Sequence, residues 1–181
     1  MSYLNNVEQW LDNVVIGLNL CPFAAKPRRK GQIRIAIYET DSLETLLENI
    51  YQELIRLDDT PVCDLDTSLI VCPNVLQDFD EYNQFLDMVD ALIRQCDRDG
   101  IYQVASFHPD YYFYGTQPDD AENLTNRAPY PIFHLIREDS MEKVLAHYPD
   151  PEGIPERNIE KMNALSEKDI RRLFPFLFSK P

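Results

Sequence analysis

The feature that most constrains this chain is the order in which helical and extended patterns alternate. Leu43, Leu46, Leu47, Ile50, Leu54 and Ile55 recur at helical spacing behind a capping Asp41 or Ser42. Phe79, Tyr82, Phe85, Leu86, Val89, Leu92 and Ile93 do the same behind Asp78, with Gly100 just beyond the end. Apolar runs at 33–38, 68–72 and 102–107 read as strands, the second stopped by Pro73. The two helices therefore alternate with three strands. Before them, Val7, Trp10, Leu11, Val14, Val15 and Leu18 predict an amphipathic helix over 5–19 that ends at Cys21-Pro22. After them, residues 132–136 read as a fourth strand, which Pro129 and Pro131 place at an edge or cause to start late. Ser140 is expected to cap a short helix reaching His147, and residues 154–177 read as charged and helical, broken at Pro175. The pattern predicts an α+β fold with about four strands and helices mainly on one face. A ferredoxin-like arrangement with additions is the first expectation, and a small doubly wound α/β sheet is the alternative. Residues 1–153 are expected to form one domain and 154–181 a helical tail.

Charge narrows the range of partners. The 181 residues carry 17 basic and 31 acidic side chains, a formal net charge of −14. Phosphate contact needs clustered Lys and Arg, so a broad nucleic-acid footprint is excluded, as is an anionic membrane surface. One local basic cluster exists, Lys26, Arg28, Arg29 and Lys30, and it can fold over an anionic ligand as a lid. The first twenty residues lack both a basic start and an apolar run long enough for a signal peptide or a membrane span, which predicts a cytoplasmic protein. Cys21, Cys63, Cys72 and Cys96 are widely spaced, with no CxxC pair, and read as thiols rather than a zinc site.

Residues 107–137, FHPDYYFYGTQPDDAENLTNRAPYPIFHLIR, hold two of the three histidines. A segment this long and polar, without a single period, must be held by specific contacts, and loops of that kind are where sites are built. Several phrases in and around it are distinctive together: Gly17-Leu18-Asn19-Leu20-Cys21-Pro22-Phe23-Ala24, Ala105-Ser106-Phe107-His108-Pro109-Asp110-Tyr111, Thr125-Asn126-Arg127 with Pro129-Tyr130-Pro131, and His134-Leu135-Ile136-Arg137-Glu138. They resemble the bacterial family known as domain of unknown function 1415, from about Leu4 to Asn163. A common variant of the third phrase has Ser in place of Ala128, which implies that no hydroxyl chemistry depends on that position. The resemblance implies no reaction, cofactor or substrate.

Three readings of the residues follow. In the first, an enzyme acts on or binds an anionic small molecule. Arg127, with a planar fork suited to a carboxylate or phosphate, holds the anion, and Arg137 is a further anion ligand. Asn123 and Asn126 orient the ligand, Tyr130 supplies a wall with a polar tip, and His108 with Asp120 handles protons. Cys21 is a candidate nucleophile if a histidine partners it. The structural reading of the same residues is a loop pinned by asparagine turns and an Arg–Asp ion pair. In the second, His108, His134 and Glu138 hold iron, manganese or zinc in an oxygenase or hydrolase. In the third, an acidic adaptor presents the loop and tail to a partner. Glycine-rich phosphate loops, dinucleotide fingerprints and GxSxG elbows are all absent, which argues against common nucleotide chemistry.

Overall fold

The computed structural model describes residues 2–178. Helix α1 (Tyr3–Trp10) is capped by the Ser2 hydroxyl and continues into a π-helical turn over Leu11–Ile16. A short α2 (Ala25–Arg29) leads to β1 (Ile33–Ile37), α3 (Leu43–Asp59), β2 (Thr67–Val71), α4 (Phe79–Gln95) and β3 (Tyr102–Phe107). A long loop with one 3-10 segment (Ala121–Asn126) reaches β4 (Ile132–Arg137), followed by α5 (Glu138–Leu145), α6 (Ile154–Asn163), α7 (Glu167–Leu173) and a final 3-10 turn (Pro175–Phe178).

Capping sets the helix starts where sequence chemistry places them. Ser42 accepts from the Thr45 N–H, and Asp78 accepts from those of Asp80 and Glu81. At α5 the expectation fails. The helix begins at Glu138 directly off β4, and Ser140 lies inside it, donating its hydroxyl to Asp66 at 2.6 Å.

The fold is α+β on a four-stranded sheet, as the pattern predicts, with strand order β1-β2-β4-β3. β1 and β2 are parallel, and β4 runs antiparallel between β2 and β3. This departs from the ferredoxin-like expectation, in which two helices are separated by a pair of adjacent strands. Pro131 does not put β4 at an edge: the strand starts one residue after it and occupies an interior position. A proline before the first rung costs the ladder no donor, which is how the strand tolerates it.

Helices α3 and α4 share one face, where Leu46, Ile50, Leu54 and Leu57 pack with Tyr82, Phe85, Val89 and Ile93 over Ile70, Phe133 and Leu135. The opposite face is covered as well. There Val7, Trp10, Leu11 and Val14 meet Leu69, Val71 and Ile132, while the tail docks through Met162, Leu173 and Phe174. All five residues of β2 are buried, as expected of an interior strand with both faces covered. Covering the second face leaves a gap between the N-terminal helix, α5 and the sheet. That gap is the candidate site.

Candidate functional site

The polar residues of the 107–137 segment are consumed in holding the segment itself. Asn123 is fully buried; its Oδ1 accepts from the Phe113 amide and the Thr116 hydroxyl, and its Nδ2 donates to the Gln117 carbonyl at 2.7 Å. Asp120 accepts from the Gln117 amide at 2.7 Å. Asn126 donates to the Ser106 carbonyl and accepts from Thr125. The fork of Arg127 goes to two backbone carbonyls, Tyr111 at 3.2 Å and Pro118 at 2.5 Å. Burial lowers the pKa of that guanidinium, with Asp110 and Asp119 opposing the shift. These side chains form a clasp.

His108 belongs to the same structure. It is fully buried against the rings of Phe79 and Tyr82, on the α3–α4 side of the sheet. Its Nδ1 accepts from the Asp110 amide, so Nε2 carries the proton and donates to the Leu76 carbonyl at 3.0 Å. Its own carbonyl takes the Ala128 amide, and its amide goes to Asn126. Tyr130 accepts from the Asn6 amide group at 2.6 Å and meets the Tyr3 ring edge-on. Arg137 gathers the carbonyls of Leu57, Thr60 and Leu65 and the Tyr102 hydroxyl, so it closes the end of α3 onto the sheet.

Replacing Arg127 with alanine is therefore expected to cost about 1 kcal/mol, because the part-buried Tyr111 carbonyl loses its donor while the exposed Pro118 carbonyl turns to water. Ligand affinity should stay unchanged. Urea unfolding alongside a binding titration checks this; lost affinity at unchanged stability would place Arg127 in the binding site instead.

The metal triad is not assembled. On β4, Phe133 and Leu135 face α3 and α4, so His134 points to the other side of the sheet, away from His108. Glu138 follows the strand as the first residue of α5, its amide bonded to the Ile101 carbonyl. Among the described residues, no group of three His, Cys, Asp or Glu side chains is placed to hold a metal ion.

His134 instead lies on the floor of a cavity of about 510 Å³ between the sheet and its second cover. That size lies within the range of small-molecule sites. Leu69, Ala105, Phe107 and Ile136 extend the floor; Trp10, Leu11, Val15, Phe23, Met141 and Val144 form apolar walls. The π-helical turn places both Leu11 and Val15 on the wall, and single π turns are frequent beside functional sites. Lys26, Lys30 and Lys143 line the cavity yet are exposed, which puts their ammonium groups at its mouth. Lys26 and Lys30 have no ion-pair partner among the described residues, and Lys143 has only the exposed Asp139 at 3.9 Å. Asp66 is the one acidic side chain in the lining; it is held by Ser140. The mouth is thus positive in a chain that is strongly negative.

The polar floor is specific. Thr67 donates its hydroxyl proton to the Leu135 carbonyl, so its oxygen accepts from His134 Nε2 at 2.7 Å. That fixes the proton on Nε2 and leaves Nδ1 as a lone-pair acceptor without a partner among the described residues. Burial lowers the imidazole pKa to about 4, so the ring is neutral at physiological pH. Cys21 lies in the wall, where burial pushes its thiol pKa up and the Phe23 and Ala24 amides offset only part of the shift. A thiol so placed stays protonated, which is the opposite of what a nucleophile needs. A second cavity of about 410 Å³, below the docked α6, shares Val15, Cys21 and Phe107 with the first.

Of the residues singled out from sequence, the cavity takes in His134, Cys21 and, from the basic loop, Lys26 and Lys30, while Arg28 pairs with Glu8 and Asp12 instead. The cavity leaves out Arg127, Asn123, Asp120, Tyr130 and Arg137. Sequence reasoning missed Trp10, Thr67 and Lys143. The available signal was Ala105, a small residue whose missing bulk leaves room above the sheet.

No curated protein and no solved structure matches this chain. The family described as "Protein of unknown function (DUF1415)" matches residues 2–172, nearly the whole chain. The chain belongs to that family.

Proposed function

We propose that this protein binds an amphipathic anionic small molecule in the cavity over the sheet, with the apolar body against the walls and the anion at the three lysines. One observation carries the reading: a preformed, mainly apolar cavity lined by three lysines against the single carboxylate of Asp66, in a chain of net charge −14. The unpaired ammonium groups of Lys26 and Lys30 cost little while solvated and gain attraction when an anion arrives. The apolar walls supply most of the affinity, at roughly 25 cal/mol for each Å² of ligand surface removed from water. The ligand is an organic acid or phosphate with a compact hydrocarbon body. Binding, rather than turnover, fits a neutral histidine and a protonated thiol, neither of which is poised to move protons near pH 7.

The test is calorimetric titration with capric acid. Wild type should bind saturably at one site. The Lys26→Glu, Lys30→Glu double variant should bind about tenfold more weakly at low salt, with the difference shrinking as salt rises. Ala105→Trp, which fills the cavity from its floor, should abolish binding. No saturable binding to wild type, or binding indifferent to Ala105→Trp, overturns the reading.

A further inference from the structure

The proposed site leaves one polar atom unexplained, and it constrains the ligand. Along the cavity floor the hydrogen-bond chain runs in one direction: His134 Nε2 gives its proton to Thr67, and Thr67 gives its own to the Leu135 carbonyl. Because the threonine hydroxyl has a single proton and has spent it, the imidazole cannot switch tautomer without breaking the chain. Nδ1 is therefore fixed as an acceptor, on a strand position flanked by the apolar Leu69 and Ala105 of the neighbouring strands. Without a ligand, water can satisfy it. A wholly apolar ligand would displace that water and leave the acceptor bare, which loses affinity. A ligand with a hydroxyl or N–H at that point replaces the water's bond.

We infer that the natural ligand carries a hydrogen-bond donor, a hydroxyl or an amide-type N–H, on the end buried opposite its anionic group, and that His134 Nδ1 is the residue that selects it. This rests on the binding reading above and goes beyond it by fixing the polarity of the ligand from end to end: donor inside, hydrocarbon between, anion at the mouth. His134 touches the ligand as an acceptor. Thr67 is a positioning residue that acts through the tautomer.

Three acids of increasing length, caproic, caprylic and capric, are titrated into wild type, each against its omega-hydroxy derivative. The length at which the hydroxyl meets Nδ1 should show a preference of about tenfold for the hydroxy acid, the worth of one neutral hydrogen bond. In His134→Leu the preference should disappear, the hydroxy acid and its parent binding alike. A second readout needs no variant. The ¹⁵N resonance of His134 Nδ1 should shift toward the hydrogen-bonded value with the preferred hydroxy acid and not with its parent. If no acid binds wild type, the binding reading itself fails. If the acids bind but no length shows a hydroxyl preference or an Nδ1 shift, or the preference survives in His134→Leu, binding stands and the donor inference is overturned.

Discussion

Replacing Tyr82 with alanine is expected to remove about 5 kcal/mol of stability, from the burial of a large ring together with two orphaned backbone groups. The ring is fully buried, stacked on Phe133 at 4.8 Å and packed against Phe79 and His108. Its hydroxyl is inserted where β3 and β4 meet: it donates to the Ile132 carbonyl at 2.7 Å and accepts the Phe107 amide at 3.2 Å. Losing the ring opens a void that rigid strands on one side and α4 on the other cannot close. It also frees His108, whose packing anchors the start of the long loop. Tyr82→Phe separates the two contributions. It keeps the ring and should cost about 1 to 2 kcal/mol for the unpaired carbonyl and amide alone. Urea unfolding of both variants measures the effect. A whole domain of this size has on the order of 10 kcal/mol to lose, so the alanine variant should sit close to half-unfolded at modest denaturant. An alanine cost below about 2 kcal/mol, no more than the phenylalanine cost, would mean that the ring does not hold the two layers together.

Tyr82 also marks the boundary of what was legible in the sequence. Its helical spacing with Phe85, Val89 and Ile93 is visible in the sequence, and so are the caps at Ser42 and Asp78, because these are local signals set within a few residues. Its role as a bridge between Phe107 and Ile132 is not, because nothing local says that β4 returns between β2 and β3. The same limit governs the site. The 107–137 segment was singled out for its polar side chains, but polarity does not say whether a group faces a ligand or a carbonyl of its own loop. Arg127, Asn123 and His108 all resolve to the second case. The cavity is built instead from residues spread between Trp10 and Val144, most of them apolar and unremarkable in sequence. The basic loop was legible as a candidate cover for an anion, and its two lysines, Lys26 and Lys30, line the cavity that holds His134 rather than lying beside Arg127.

The His134 imidazole should leave a signature in the pH dependence of stability. Its pKa falls from an ordinary 6.5 to about 4 because burial disfavours the charged ring. Above pH 6.5 both folded and unfolded chains hold it neutral, and it contributes no pH dependence. As pH falls from 6.5 toward 4, the unfolded chain takes up a proton that the folded chain refuses, so stability is lost across that window. Below about 4 both forms are protonated and the loss levels off. The full depth is about 3 kcal/mol. Carboxylates titrate in the lower part of the same range, so the measurement is a difference: unfolding free energy of wild type minus that of His134→Gln, followed from pH 8 to pH 4. The difference should be flat above pH 6.5 and then move against wild type by about 3 kcal/mol. Curves that stay parallel to pH 4 would mean that the ring protonates freely. It would then lose the lone pair in mildly acidic solution, and His134 Nδ1 could not select a donor-bearing ligand there. The depressed pKa and the selectivity have one physical origin: the apolar enclosure that keeps the ring neutral is what makes its single acceptor worth satisfying.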